Sequence, residues 1–121
     1  MQSYFWIGLG SAPGGMARYW LVAAFIGETF PWGTLVVNVL GSLIVGFVAA
    51  LTLERIVMNP TWRSGILIGF CGGFTTFSAL AYETFELART GDPWRAVLNL
   101  AAHMVLGLAA VWVGYAAAMK I

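Results

Sequence analysis

The side chains able to do chemistry in this sequence are few, and apolar residues surround them. Asn38 lies in GTLVVNVLG, Thr75, Thr76 and Ser78 lie in GGFTTFS, and Asn99 and His103 stand one helical turn apart further on. Amides and hydroxyls donate hydrogen bonds without carrying charge. That is what a small anion needs once it has shed its water. The sequence offers no nucleophile–base pair, no glycine-rich phosphate loop and no second His, Cys or carboxylate at ligand spacing from His103. Cys71 is the single cysteine, so no intrachain disulfide can form. Enzymatic catalysis therefore has no foothold, and holding or passing an ion remains.

Each candidate has a plain structural reading beside the chemical one. Asn38 can line a path or join two helices. Thr75, Thr76 and Ser78 can donate to an anion, or bond back to the preceding turn of an intact helix. Phe77 can turn its positive ring edge to an anion, or face lipid. Arg18, the one cation well inside an apolar stretch, can snorkel or pair with carbonyls around the Ala-Pro-Gly-Gly stretch at 12–15, or draw an anion toward a vestibule. Asn99, His103 and Gly107 recur every four residues, a candidate polar track on one helix face. Burial without a partner keeps a histidine neutral. Glu83 and Glu86, near the end of their apolar stretch, are expected to face water.

The elements that must position these residues follow from composition. Of 121 residues, 60% are hydrophobic and 9% charged, with a mean hydropathy of +0.84. A soluble domain carries about 25% charged residues, and disordered chains are polar, so both classes are excluded. A spanning helix takes about 20 apolar residues. Four spans fit, at about 4–27, 33–53, 64–88 and 96–118, in a single domain covering 1–121 with no soluble part left over. Trp32, Trp62 and Trp94 mark the breaks between them, where amphipathic rings sit at headgroup depth. The start, MQSYFWIGLG, has no positive n-region and reads as a first helix rather than a signal peptide.

Two spans depart from plain helices. The first carries Gly8, Gly10, Pro13, Gly14 and Gly15, and the third carries GGFTTFS at its middle, so both are expected to be interrupted. Broken helices at that depth are tolerated only where the freed backbone is buried in protein or lines a polar cavity, and they commonly bind ions. Gly65, Gly69 and Gly73 make a small-residue stripe for close helix packing, within one chain or between two.

Arg55, Arg63 and Lys120 fall on one side of a four-span chain, and Arg89 and Arg95 on the other. Orientation follows such differences, and three against two sets almost none. Dual topology is expected, and with it an antiparallel homodimer. A small four-span exporter of organic cations shares the length and low charge. Such a pump needs a protonatable group in its pathway, usually a carboxylate, and no Asp or Glu stands in the middle of a span.

Three segments resemble the Fluc/CrcB fluoride channels: GGMARYW at 14–20, GTLVVNVLGSLIVG at 33–46 and GFCGGFTTFS at 69–78. Their order and spacing agree with the family, whose four-span length covers the whole chain. The resemblance implies an all-α membrane protein with a break in the third helix, forming an antiparallel dual-topology homodimer in a bacterial inner membrane. It implies passive, fluoride-selective export that protects against fluoride toxicity. Fluoride would be trapped inside when hydrogen fluoride enters and dissociates, and would leave down its gradient.

By motif position, Asn38, Thr76, Phe77, Ser78 and Leu80 would lie on the fluoride pathway, with Asn99 and His103 beside them on the fourth span. Arg18 and Glu83 would stand near a vestibule. A structural sodium ion at the dimer interface would be held by the carbonyls of Gly72 and Thr75 from each subunit. The family usually continues FSTF, whereas this chain has Phe77-Ser78-Ala79-Leu80. Leu80 thus replaces a second ring, and His103 stands where relatives commonly have a small hydroxyl residue.

Overall fold

A computed structural model describes residues 1–55 and 58–121, all helix and turn with no strand among them. The expected break at 54–63 falls partly on residues 56 and 57, outside the described residues. Helix α1 is Gln2–Ala23 and α2 is Trp32–Ala50, which continues into a π-wound turn, Leu51–Arg55. The third stretch is composite. It starts as α3, Pro60–Ser64, passes through a π-wound segment, Gly65–Cys71, and becomes α4, Gly72–Phe74. After a break it resumes as α5, Phe77–Arg89, and α6, Pro93–Ala118, completes the chain.

Local chemistry sets the ends. Asn59 caps α3 by accepting from the Thr61 amide, and Asp92 caps α6 by accepting from the Arg95 amide, each followed by a proline at the first helical position. Between α5 and α6 the turn needs a left-handed residue, and Gly91 supplies it at φ 91°.

Three stretches are long and apolar enough to cross a bilayer: Trp32–Glu54, Pro60–Arg89 and Pro93–Ala118. Helix α1 has 22 residues, about 33 Å at 1.5 Å per residue, yet its glycines, Pro13 and Arg18 keep it out of that set. The interruption expected in this helix is not found. Helix α1 runs unbroken through Pro13. The missing amide leaves only the Leu9 carbonyl without its usual partner, and both residues lie on the exposed side of the helix.

The helices form two parallel pairs. In the first, α1 lies backbone to backbone on the third stretch. A Cβ on Gly69 would sit 2.7 Å from the Ile7 carbonyl, and one on Gly73 would sit 2.6 Å from that of Ser11. Gly14 meets the Phe70 carbonyl in the same way. The Gly65, Gly69 and Gly73 stripe thus packs within the chain. In the second pair, Ser42 lies beside Gly107, Gly46 beside the Val111 carbonyl and Gly114 beside that of Leu43. Residue numbers rise together along both pairs, so the partners point the same way. Lipid tails give helices no hydrophobic reason to associate, and close backbone approach supplies the dispersion that does.

Candidate functional site

The break in the third stretch is two residues long. Thr75 (φ −88°, ψ 162°) and Thr76 (φ −153°, ψ 116°) are extended between α4 and α5. Extended backbone inside a membrane protein must find partners for its polar groups, because each group left unpaired carries a desolvation penalty. Three side chains provide them. Thr76 caps α5, its Oγ1 accepting from the Ala79 amide at 3.1 Å. Asn38 reaches across from α2 and clasps Thr76 on both sides. Its Nδ2 donates to the Thr76 carbonyl at 3.0 Å, and its Oδ1 accepts from the Thr76 amide at 2.8 Å. Arg18 reaches from α1 and donates through Nη1 to the Thr75 carbonyl at 3.1 Å.

These contacts resolve readings that the sequence leaves open. Arg18 pairs with a carbonyl, and that carbonyl belongs to the third stretch rather than to the Ala-Pro-Gly-Gly stretch of its own helix. Asn38 joins two helices and keeps one N–H of its amide uncommitted. Thr75 bonds back to the preceding turn, its Oγ1 donating to the Cys71 carbonyl at 2.8 Å. In a continuing helix the Thr76 amide would bond the Gly72 carbonyl. Here Asn38 takes that amide, which frees the Gly72 oxygen beside a glycine whose Cβ position is open.

Two polar-lined cavities flank the clasp and share Thr76. One, of about 460 Å³, is bordered by Arg18, Tyr19, Thr34, Thr76, Ser78 and Glu83. The other, of about 300 Å³, is bordered by Asn38, Ser42, Thr76, Phe77, Leu80 and His103. Phe77 is 78% exposed on the outer surface of the chain, whereas Leu80 is buried at 3%. The two residues that the resemblance places on the pathway at phenylalanine positions therefore face different surroundings.

Glu83 corrects an expectation. Instead of facing water with Glu86, it turns inward, and Thr34 donates to its Oε1 at 2.5 Å while its Oε2 is buried without a partner. Glu86 does stay at the surface end, paired with Arg89.

On α6 the two polar side chains are tied into the structure by hydrogen bonds. His103 Nδ1 lies 2.9 Å from the Asn99 carbonyl, and Asn99 Nδ2 donates to Thr84 Oγ1 at 3.0 Å. Asn99 is fully buried and borders neither cavity. Sequence reasoning missed Thr34, Ser42 and Thr84. Thr34, Asn38 and Ser42 follow one another at four-residue spacing, and that polar stripe on α2 was the signal for the first two. Nothing comparable marks Thr84.

The family model for CrcB-like protein, Camphor Resistance (CrcB), matches residues 5–115. A protein of Opitutus terrae named fluoride-specific ion channel FluC is 48% identical, covering 98% of this chain and 94% of its own. Proteins of the same name from Methylocella silvestris and Paramagnetospirillum magneticum are each 46% identical. They cover 99% and 98% of this chain, and 95% and 96% of their own.

Proposed function

The chain belongs to the CrcB-like family, and on that premise we propose that it is a fluoride-selective channel which lets the anion leave the cytoplasm passively. The observation that carries this reading is the clasped break, with a cavity on each side to which donor side chains are turned. Arg18 supplies the positive charge that draws an anion to the larger cavity. Ser78 and Thr76 offer hydroxyls there, sharing a hydrogen bond at 3.2 Å. Past the clasp, the spare Asn38 N–H, the Ser42 hydroxyl and the edge of Phe77 replace water around the ion. None of these groups except Arg18 carries a full positive charge, so the ion is held weakly enough to move on, as conduction requires. Hydrogen fluoride that enters and dissociates leaves fluoride inside, and an inside-negative potential drives it out.

The finer architecture belongs to the same proposal. Helix α1 is the fourth span, carried across by its backbone contact with the third stretch. Two copies pair antiparallel in a bacterial inner membrane. The near balance of positive charges supports dual insertion, and the outward-facing Phe77 and open Gly72 support a partner at that surface. A structural sodium ion fits there. Gly72 has a freed carbonyl, and Thr75 keeps a second lone pair beside the one Arg18 uses. With the same carbonyls from a second copy, four oxygens converge in kind, the ligand type a hard cation takes. Such an ion would supply the positive charge that ties two broken helices together. The reading as an organic-cation exporter finds no support among the relatives.

The test is release from liposomes holding the purified protein, read with a fluoride electrode beside chloride-loaded controls. Rapid fluoride release without chloride release is expected. Equal release of both ions, or of neither from folded protein, overturns the reading.

A further inference from the structure

His103 borders the smaller cavity and has a ring nitrogen with nothing to bond. Its Nδ1 lies 2.9 Å from the Asn99 carbonyl. A backbone carbonyl only accepts, so Nδ1 carries the hydrogen of that bond. In the neutral ring Nε2 is then a bare lone pair, and it is buried with no partner in a residue 6% exposed. A neutral His103 therefore sets an unpaired acceptor beside a cavity that Asn38 and Ser42 furnish with donors, which repels an anion. A protonated ring turns an N–H and a positive charge to the same place.

A second donor is close. Ser42 borders the same cavity, and its hydroxyl makes no hydrogen bond to the described residues. Ser42 Oγ lies 3.8 Å from where a Cβ on Gly107 would be, one turn of α6 beyond His103. We propose that His103 Nε2 and the Ser42 hydroxyl form a fluoride subsite that fills only when the ring is protonated, so that proton and fluoride are bound together at this point of the path. The proposal rests on the reading of the chain as a fluoride channel. The balance is simple: neutral ring, proton and fluoride give an imidazolium–fluoride pair. Hydrogen fluoride handing its proton to Nε2 gives the same pair.

Few charged groups surround the imidazole. Helix α2 borders the same cavity with the uncharged Asn38 and Ser42. From α5 the charged group within electrostatic reach is Glu83, which borders the other cavity and bonds Thr34. From α1, Arg18 is committed to the Thr75 carbonyl. By linkage, fluoride must raise the proton affinity of His103 by the factor by which the proton raises fluoride affinity.

His103 is the only histidine in the chain, so the imidazole resonances of ring-labelled protein in nanodiscs belong to it alone. The wild-type protein is titrated from about pH 5 to 8, the range in which histidine changes charge, in sodium fluoride and in sodium chloride of equal ionic strength. The midpoint is expected to be higher in fluoride. It should rise by about one unit once fluoride reaches ten times the dissociation constant of the protonated form, because a tenfold preference equals one unit. Ser42→Ala should shrink that rise.

In liposomes, wild-type fluoride efflux should increase as pH falls through the same range, after subtraction of protein-free liposomes, while His103→Ser gives a flat profile. Equal midpoints in the two salts, or a chloride effect as large as that of fluoride, overturns the subsite. If fluoride-selective efflux persists at the same time, the channel reading stands without it. Absence of fluoride efflux from the wild-type protein overturns both.

Discussion

Asn38→Asp tests the clasp and the path with one isosteric change. The aspartate still accepts from the Thr76 amide, now 2.8 Å from Asn38 Oδ1, but its second oxygen replaces the Nδ2 that donates to the Thr76 carbonyl at 3.0 Å. Two acceptors then face each other, and the unpaired carbonyl costs about 1–3 kcal/mol. The larger effect is charge. A carboxylate about 4 Å from a passing anion repels it by about 4 kcal/mol at an effective dielectric of about 20. At about 1.4 kcal/mol per factor of ten in rate, fluoride flow falls about a thousandfold. The electrostatic effect therefore outweighs the lost bond. Efflux is measured with a fluoride electrode at neutral pH on protein that elutes from gel filtration like the wild type. Acidification, by neutralising the carboxylate, should recover part of the rate. Efflux within threefold of wild type at neutral pH would refute the placement of Asn38 beside the ion path.

Thr34→Val removes the hydroxyl that donates to Glu83, a bond to a charged group worth about 1.5–3 kcal/mol; efflux should slow with the fold intact, and Thr34→Ser should restore it. Thr76→Val removes the cap of α5 and should lower stability by about 1 kcal/mol, read as an earlier thermal unfolding in detergent. Gly114→Ala puts a methyl group on the Leu43 carbonyl and 2.9 Å from the Phe47 amide, whereas Gly8→Ala meets nothing within 4 Å. The first should yield little monodisperse protein and the second should behave as wild type; equal yields would show that α2 and α6 do not touch as described.

Much of this arrangement was legible in the residues, because apolar length and the GGFTTFS break are local properties of the chain. Two of the tryptophans that mark breaks in the sequence stand at helix starts, Trp32 being the first residue of α2 and Trp94 the second of α6. What stayed hidden depends on register between helices. Asn38 could be read as pore amide or helix glue, and only the position of α2 against the third stretch brings it to Thr76. Glu83 sits near a helix end, where a carboxylate usually meets water, and nothing local says that Thr34 lies opposite. Pro13 argued for a break by backbone chemistry alone. The packed glycines of α1 against the third stretch outweigh the loss of a single hydrogen bond.

The two parallel pairs also bear on how the chain comes to rest in the bilayer. Each pair joins a helix to the next but one: α1 to the third stretch, α2 to α6. Neither pair can close while only half the chain has left the ribosome. Helix α1, with too little apolarity to hold a lipid position by itself, waits for Gly69 and Gly73 to arrive more than 50 residues later. Likewise α2 holds Thr34 and Asn38 without their partners, Glu83 and Thr76, until the third stretch appears. Assembly is therefore back-loaded. A chain stopped before Pro93 would leave the notch at Gly46 and the Ser42 hydroxyl without the helix that covers them, a ready mark for removal by membrane quality control.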